Sequence, residues 1–93
     1  MSLAIAMTGN VYPFGENCYY GGERIIYYLI QELAKKGHEI YLFSCRGTNI
    51  PDKHIKDFIE VPIICAEDVH FNAIRDYQDK TKIDFDVYHC NYF

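Results

Sequence analysis

The run Leu3-Ala4-Ile5-Ala6-Met7 carries no polar side chain and stops at Thr8-Gly9-Asn10. So short and wholly apolar a run reads as a strand covered on both faces, as in a parallel sheet, because a half-exposed strand would alternate. Val11 to Gly22 follows, rich in Gly, Pro, Asn and Tyr, and reads as a loop longer than most strand-to-helix connections. Glu23 to Lys36 then sets Ile25, Ile26, Leu29, Ile30, Leu33 and Ala34 at helical spacing in one broad apolar stripe. Glu23 in the first turn and Lys35-Lys36 in the last complement the helix dipole. Gly37 supplies the left-handed position that ends a helix, and His38 to Ser44 returns as a strand. Strand, loop, helix, glycine and strand in the first 44 residues make a βαβ unit, whose crossover is expected to be right-handed.

The remainder continues the alternation. Arg46 to Lys56 is polar and carries Gly47, Asn49 and Pro51, the composition of a loop with room for one helical turn. Phe58 to Ile64 reads as a third strand, placed at an edge or ended there by Pro62. Ala66 to Lys80 is a weaker helix with Val69, Phe71, Ile74 and Tyr77 on its inner side, and Phe85 to Tyr92 is a fourth, buried strand. The predicted class is α/β: a Rossmann-like parallel sheet with flanking helices. A chain of 93 residues is one domain at most. A doubly wound sheet needs further strands beyond its switch point, so residues 1–93 are expected to be an incomplete domain of a longer protein.

Charge narrows the partners. Thirteen acidic against nine basic side chains leave a formal charge of -4, which offers no electrostatic footprint for nucleic acid or an anionic membrane. No apolar run approaches the ~20 residues that span a bilayer. Met1 to Met7 has no basic stretch ahead of it and is too short for a signal peptide. Cys18, Cys45, Cys65 and Cys90 form no Cys-x-x-Cys pair, and three of the four lie in or beside apolar runs. Free, mostly buried thiols and a cytoplasmic setting are therefore expected, and neither a zinc knuckle nor a redox pair is supported. The histidines share no ligand spacing with cysteines or carboxylates, so no metal site is expected.

Ligands in open α/β folds bind outside the carboxyl ends of the strands, where Thr8 to Gly22, Ser44 to Gly47 and His89 to Phe93 converge. Gly21-Gly22 stands directly before the helix, where free N–H groups and the positive dipole end collect anions; a plain tight turn is the other reading. The spacing of Gly9, Gly15, Gly21 and Gly22 is not a dinucleotide fingerprint, and no phosphate loop with its lysine is present. Arg24 can pair with a phosphate as a planar fork or serve as a surface ion-pair residue. Tyr12, Phe14, Tyr19 and Tyr20 can face a ligand or fold their loop down, and Glu16 and Glu23 are candidate polar contacts. His89, at the carboxyl end of the fourth strand, is the best single histidine for a base or ligand contact, with Asn91 on the same face. The alternative for His89 is a packed, hydrogen-bonded imidazole. His38 reads as a capping residue at a helix-to-strand turn, and His54 and His70 read as surface residues.

Ile5-Ala6-Met7 leading into Tyr12-Pro13, Gly21-Gly22-Glu23-Arg24 opening the helix, Leu33-Ala34-Lys35-Lys36-Gly37-His38-Glu39-Ile40 leading into Tyr41 to Ser44, and Asp86-Val87-Tyr88-His89 together form a pattern. It resembles the start of a retaining glycosyltransferase of family 4, with the GT-B fold, and the resemblance runs through most of the chain. It implies an enzyme of two Rossmann-like domains whose amino-terminal domain mainly holds the acceptor, with the Gly-Gly loop near the donor's diphosphate. The second domain, with its basic residues and Glu-x7-Glu motif, binds most of the nucleotide sugar and is not within these residues. Carried over, Gly21 and Gly22 would line the cleft, His89 would sit at the cleft end of its strand, and no metal is needed. Together with the residue-by-residue reading, this makes Gly21, Gly22, Glu23, Arg24 and Tyr20 the expected substrate contacts and His89 the expected catalytic residue, with no cofactor expected. Asn91 stands where the family often has a second histidine, so a paired-histidine role does not carry over; Asn91 is an expected substrate contact because it shares the face of His89. Expected partners are a nucleotide-sugar donor, a sugar or lipid-linked acceptor and the second domain; a lipid-linked acceptor would bring the whole protein to the membrane periphery. The chain alone is expected to be inactive. A small non-catalytic α/β nucleotide- or partner-binding module is the reading from another class, and a nucleotide-sugar epimerase is a third.

Overall fold

The computed structural model describes residues 2–9, 21–45, 48, 50, 52–61 and 67–89. Their order is β1 (Ala4–Thr8), α1 (Gly21–Lys35), β2 (Glu39–Cys45), a single helical turn at Asp52–His54, β3 (Asp57–Val61), α2 (Glu67–Thr81) and β4 (Val87–His89). All four strands are parallel, in the order β3-β2-β1-β4. This is a Rossmann-like α/β sheet, as the alternating pattern implies. The two central strands are buried along nearly their whole length, which is why their sequences run apolar without alternation.

α1 and α2 cover opposite faces. Ile5 and Met7 of β1, with Ile40 and Leu42 of β2, pack beneath Ile26, Tyr27 and Ile30 of α1. Ala6, Tyr41 and Phe43 face the other way, onto Ile74 of α2 and Phe85. The chain runs outward from β1 to β2 through α1, then back across the sheet from β3 to β4 through α2. Crossovers of one common hand must then place their helices on opposite faces. The α2 side is an aromatic layer: the Phe43 ring meets Tyr77 and Phe85 edge-on, and Tyr77 and Phe85 stack with centroids 6.1 Å apart. Each fully buried side chain such as Ile30, Leu42 or Phe43 contributes about 1.5–3 kcal/mol.

The helix ends follow the sequence signals closely. Gly37 has φ +88°, and the Gly37 and His38 N–H groups donate to Ala34 and Leu33 carbonyls at 3.0 and 3.2 Å. His38 does cap an orphan donor, but of a strand: its Nδ1 accepts from the Leu3 N–H at 3.1 Å. α2 ends where Lys82 turns to φ 61° and its N–H reaches the Gln78 carbonyl at 2.8 Å.

Several expectations need correction. α1 begins at Gly21, not at Glu23, so both glycines lie inside its first turn. Ile25 is 67% exposed, because the stripe that meets the sheet centres on Ile26 and Ile30, and Ile25 falls outside it. In α2, Phe71 is 40% exposed while His70, expected at the surface, is buried at 2%. His70 lies four residues before Ile74 and seven before Tyr77, so it shares their face. β4 is not buried: it pairs with β1 on one side and no described strand lies on the other, leaving Val87 and Tyr88 exposed. β3 is the opposite edge, and Pro62 and the rest of the expected strand lie outside the described residues.

Candidate functional site

β1 is the switch point of this sheet: one crossover leaves it toward β2 and the other arrives beside it at β4. A crevice forms at the carboxyl edge of such a sheet because the loops on either side diverge there. Three features meet at that edge. α1 starts there, since it follows β1 in the chain and runs back along the sheet. β4 ends there at His89, whose register partner on β1 is Met7. The buried polar side chains among the described residues, Thr8, Ser44 and His70, also belong to it: one near each strand end and one in the first turns of α2.

The α1 terminus and His89 also share a face. Val87 and His89 pair in register with Ile5 and Met7, the β1 residues that pack under α1. Register partners in a parallel pair project to the same side. So the half-buried His89 lies on the α1 side of the sheet, at the edge from which α1 springs. The N–H groups of Gly21, Gly22 and Glu23 have no partner within the helix, and together with the dipole they attract an anion by about 0.3–1 kcal/mol at an exposed end. Arg24 is exposed on the same first turn.

The edge is held firmly from behind. The Gly9 N–H donates to the Phe43 carbonyl at 2.9 Å, extending the β1–β2 ladder one residue past β1. Ser44 and Thr48 join their hydroxyls at 3.0 Å, and the Thr48 N–H turns back to the Cys45 carbonyl at 3.3 Å. Cys45 itself is a free, buried thiol, as expected of this residue. The Ser44–Thr48 hydroxyl pair was not read from the sequence, which placed only Ser44 to Gly47 at this edge, and His70 was expected at the surface; the spacing His70, Ile74, Tyr77 was the available signal for its burial.

Gly21, Gly22, Glu23, Arg24 and His89 are therefore brought to one edge. Tyr20 and Asn91 lie outside the described residues, as do Tyr12, Phe14, Glu16, Cys18, Tyr19, Arg46, Gly47, Cys65 and Cys90. Among the described residues no three His, Cys, Asp or Glu side chains stand close enough to share a metal ion. No helix among them is long and apolar enough to cross a membrane. The chain matches no protein-family model, no curated protein and no solved structure.

Proposed function

We propose that this chain forms the acceptor-side part of a glycosyltransferase, one that moves a sugar from a nucleotide-activated donor to a saccharide or lipid-linked acceptor. The observation that carries the reading is the meeting of the α1 amino terminus with the carboxyl end of β4, on one face and one edge of a parallel sheet. Sugar transfer from a nucleotide donor expels a diphosphate, and an anion of that kind is what a helix amino terminus accommodates. With glycine at the first two helical positions, no Cβ blocks the approach to their N–H groups. In this reading Arg24 pairs with a phosphate oxygen, and Glu23, Tyr20 and Asn91 contact substrate. His89 takes the proton of the attacking acceptor hydroxyl or holds the sugar beside it.

The remaining donor contacts would come from a second domain outside residues 1–93, and a lipid-linked acceptor would place the whole protein at the cytoplasmic membrane periphery. The 93-residue chain alone then catalyses no transfer; measurable transfer by it would overturn this division of labour. The reading is tested by titrating the 15N-labelled chain with inorganic diphosphate and with UDP. Shifts confined to the Gly21, Gly22 and Glu23 amides, with His89 moving as well, are the expected result. No shift at these amides at about 1 mM ligand, where even weak sites fill, sinks the proposal. Amide shifts with His89 unmoved would turn the reading to a non-catalytic nucleotide-binding module.

A further inference from the structure

We infer that a pocket at the amino edge of the sheet, the edge away from the candidate site, binds a phosphoryl dianion, as free phosphate or as a phosphomonoester on a lipid headgroup. The carboxyl end of α1, the start of β2 and the Asp52–His54 turn that leads into β3 meet there. Between them lies a hollow of about 160 Å³, with His38, Glu39, Lys53, His54 and Lys56 among its walls. A water molecule's share of the liquid is about 30 Å³, so the hollow has room for about five waters or for one phosphoryl group with part of its shell. All of its walls come from residues 34–56, and β2 behind it is paired on both sides.

Charge at this corner runs against that of the whole chain. The formal charge is -4, yet the hollow is lined by two lysines and one carboxylate. Lys56 Nζ lies 3.8 Å from Glu39 Oε2, which answers that one negative charge. Lys53 makes no ion pair and His54 no hydrogen bond among the described residues, so both are available to an incoming anion. Lys36, exposed just past the end of α1, adds to the positive field. His38 supplies a donor of fixed identity. Its Nδ1 accepts the Leu3 N–H at 3.1 Å, so Nδ1 carries no proton and the ring's N–H is at Nε2.

The acceptors that would draw a cation instead are occupied. At the end of α1 the Glu32, Leu33 and Ala34 carbonyls take the Lys36, His38 and Gly37 N–H groups at 3.2, 3.2 and 3.0 Å, and the Gly37 carbonyl takes the Ser2 hydroxyl at 2.8 Å. What remains is a set of nitrogen donors reaching the hollow from three directions: His38 ahead of β2, Lys53 and His54 on the helical turn, and Lys56 at the approach to β3. Donors on several sides suit a tetrahedral anion with oxygens all round, and lysine meets such an oxygen as a point charge. The fifteen residues of α1 set this hollow about 22 Å from the helix's amino end. This binding and the proposed sugar transfer therefore stand or fall separately.

Titrating the 15N-labelled chain with inorganic phosphate tests the inference, alongside Lys53→Glu, His54→Ala and Lys80→Glu. Lys80 stands in the last turn of α2, on the other face of the sheet, and controls for loss of charge alone. The expected result is saturating shifts of the Lys53, His54 and Ile55 amides and of the His38 ring, complete by about 10 mM phosphate. Lys53→Glu and His54→Ala should each raise the dissociation constant at least about fivefold, and Lys80→Glu less than about twofold, in spectra that stay those of the folded parent. Vesicles of phosphatidylcholine with about 20% phosphatidic acid present the same group on a surface. Co-sedimentation with these and not with phosphatidylcholine alone, lost in Lys53→Glu, assigns the group to a lipid headgroup. No response to either probe, or equal weakening by Lys53→Glu and Lys80→Glu, overturns the inference. Phosphate shifts confined to the Gly21, Gly22 and Glu23 amides overturn it too, while leaving the sugar-transfer reading intact.

Discussion

Ala4 and Asp86 hold each other by two hydrogen bonds of equal length. The Asp86 N–H donates to the Ala4 carbonyl at 2.8 Å, and the Ala4 N–H donates to Asp86 Oδ2, also at 2.8 Å. The pair clamps the entry of β4 to the entry of β1, across 82 positions of sequence. His89 sits three residues beyond that clamp, so its place at the carboxyl edge depends on it.

Asp86→Ala removes the acceptor and leaves the Ala4 N–H to water, at a cost of about 1–2 kcal/mol for an exposed site. Asp86→Asn keeps an acceptor oxygen and should cost less than half as much. Urea midpoints of the two variants check the order, and exchange of the His89 amide, which the register turns toward β1, should quicken in Asp86→Ala before the β2 amides respond.

Alkali should loosen the α2 side of the sheet. Burial first, then the Tyr77 hydrogen bond to Asp57 Oδ2 at 2.8 Å, push the Tyr77 hydroxyl from 10.0 up to about 12. Tyr41 is raised as well, by burial and then by Glu39 and Asp57. A raised acid is stabilising while protonated: the contribution is whole below pH 10 and is lost as pH climbs toward about 12. Denaturant midpoints measured across that window should fall in the parent and fall less in Tyr77→Phe.

Two neighbours in α2 should behave unlike their chemistry. His70→Ala empties a buried position and is expected to cost about 2–4 kcal/mol. Phe71→Ala, though it deletes a larger apolar ring, should cost less than about 1.5 kcal/mol because that ring is already part-exposed. Thermal unfolding of both variants decides the matter; the reverse order would place Phe71 in the core.

Gly37→Ala offers a case of strain without crowding. A Cβ at Gly37 would meet nothing within 4 Å, yet the backbone there has φ +88°. The expected loss is about 1 kcal/mol or more, from the left-handed conformation alone. Asparagine, which tolerates that region better, should recover part of it in the same melts.

These variants also mark how far the sequence could be read. The βαβ unit, α1, its glycine stop and the parallel class were all legible, because apolar runs and helical spacing are local signals. The neighbours of β1 were not: nothing in Val87-Tyr88-His89 says that it lies beside Ile5-Ala6-Met7 and not beyond β3. Exposure along the helices was legible only to within one position. Ile25 and Ile26 are the same residue type, and a rotation of about 100° separates solvent from sheet. His70 and Phe71 were exchanged for the same reason, with hydrophobicity overruling the spacing that links His70 to Ile74. At the site, Gly21 and Gly22 announced the helix start, but their place inside its first turn needed coordinates. Tyr20 and Asn91, expected at the site from the aromatic loop and from alternation with His89, lie outside the described residues.

The central position of β1 has a consequence for how the chain is made. Its first partner, β2, leaves the ribosome about 35 residues after it, and β4 about 82 residues after it. During vectorial synthesis β1 therefore emerges before the other three described strands yet gains its second neighbour only after β2 and β3 have emerged, one flank bare until then. A translational pause before Asp86 would hold that flank exposed, and a nascent chain stalled there should be captured by chaperones more readily than one released after His89.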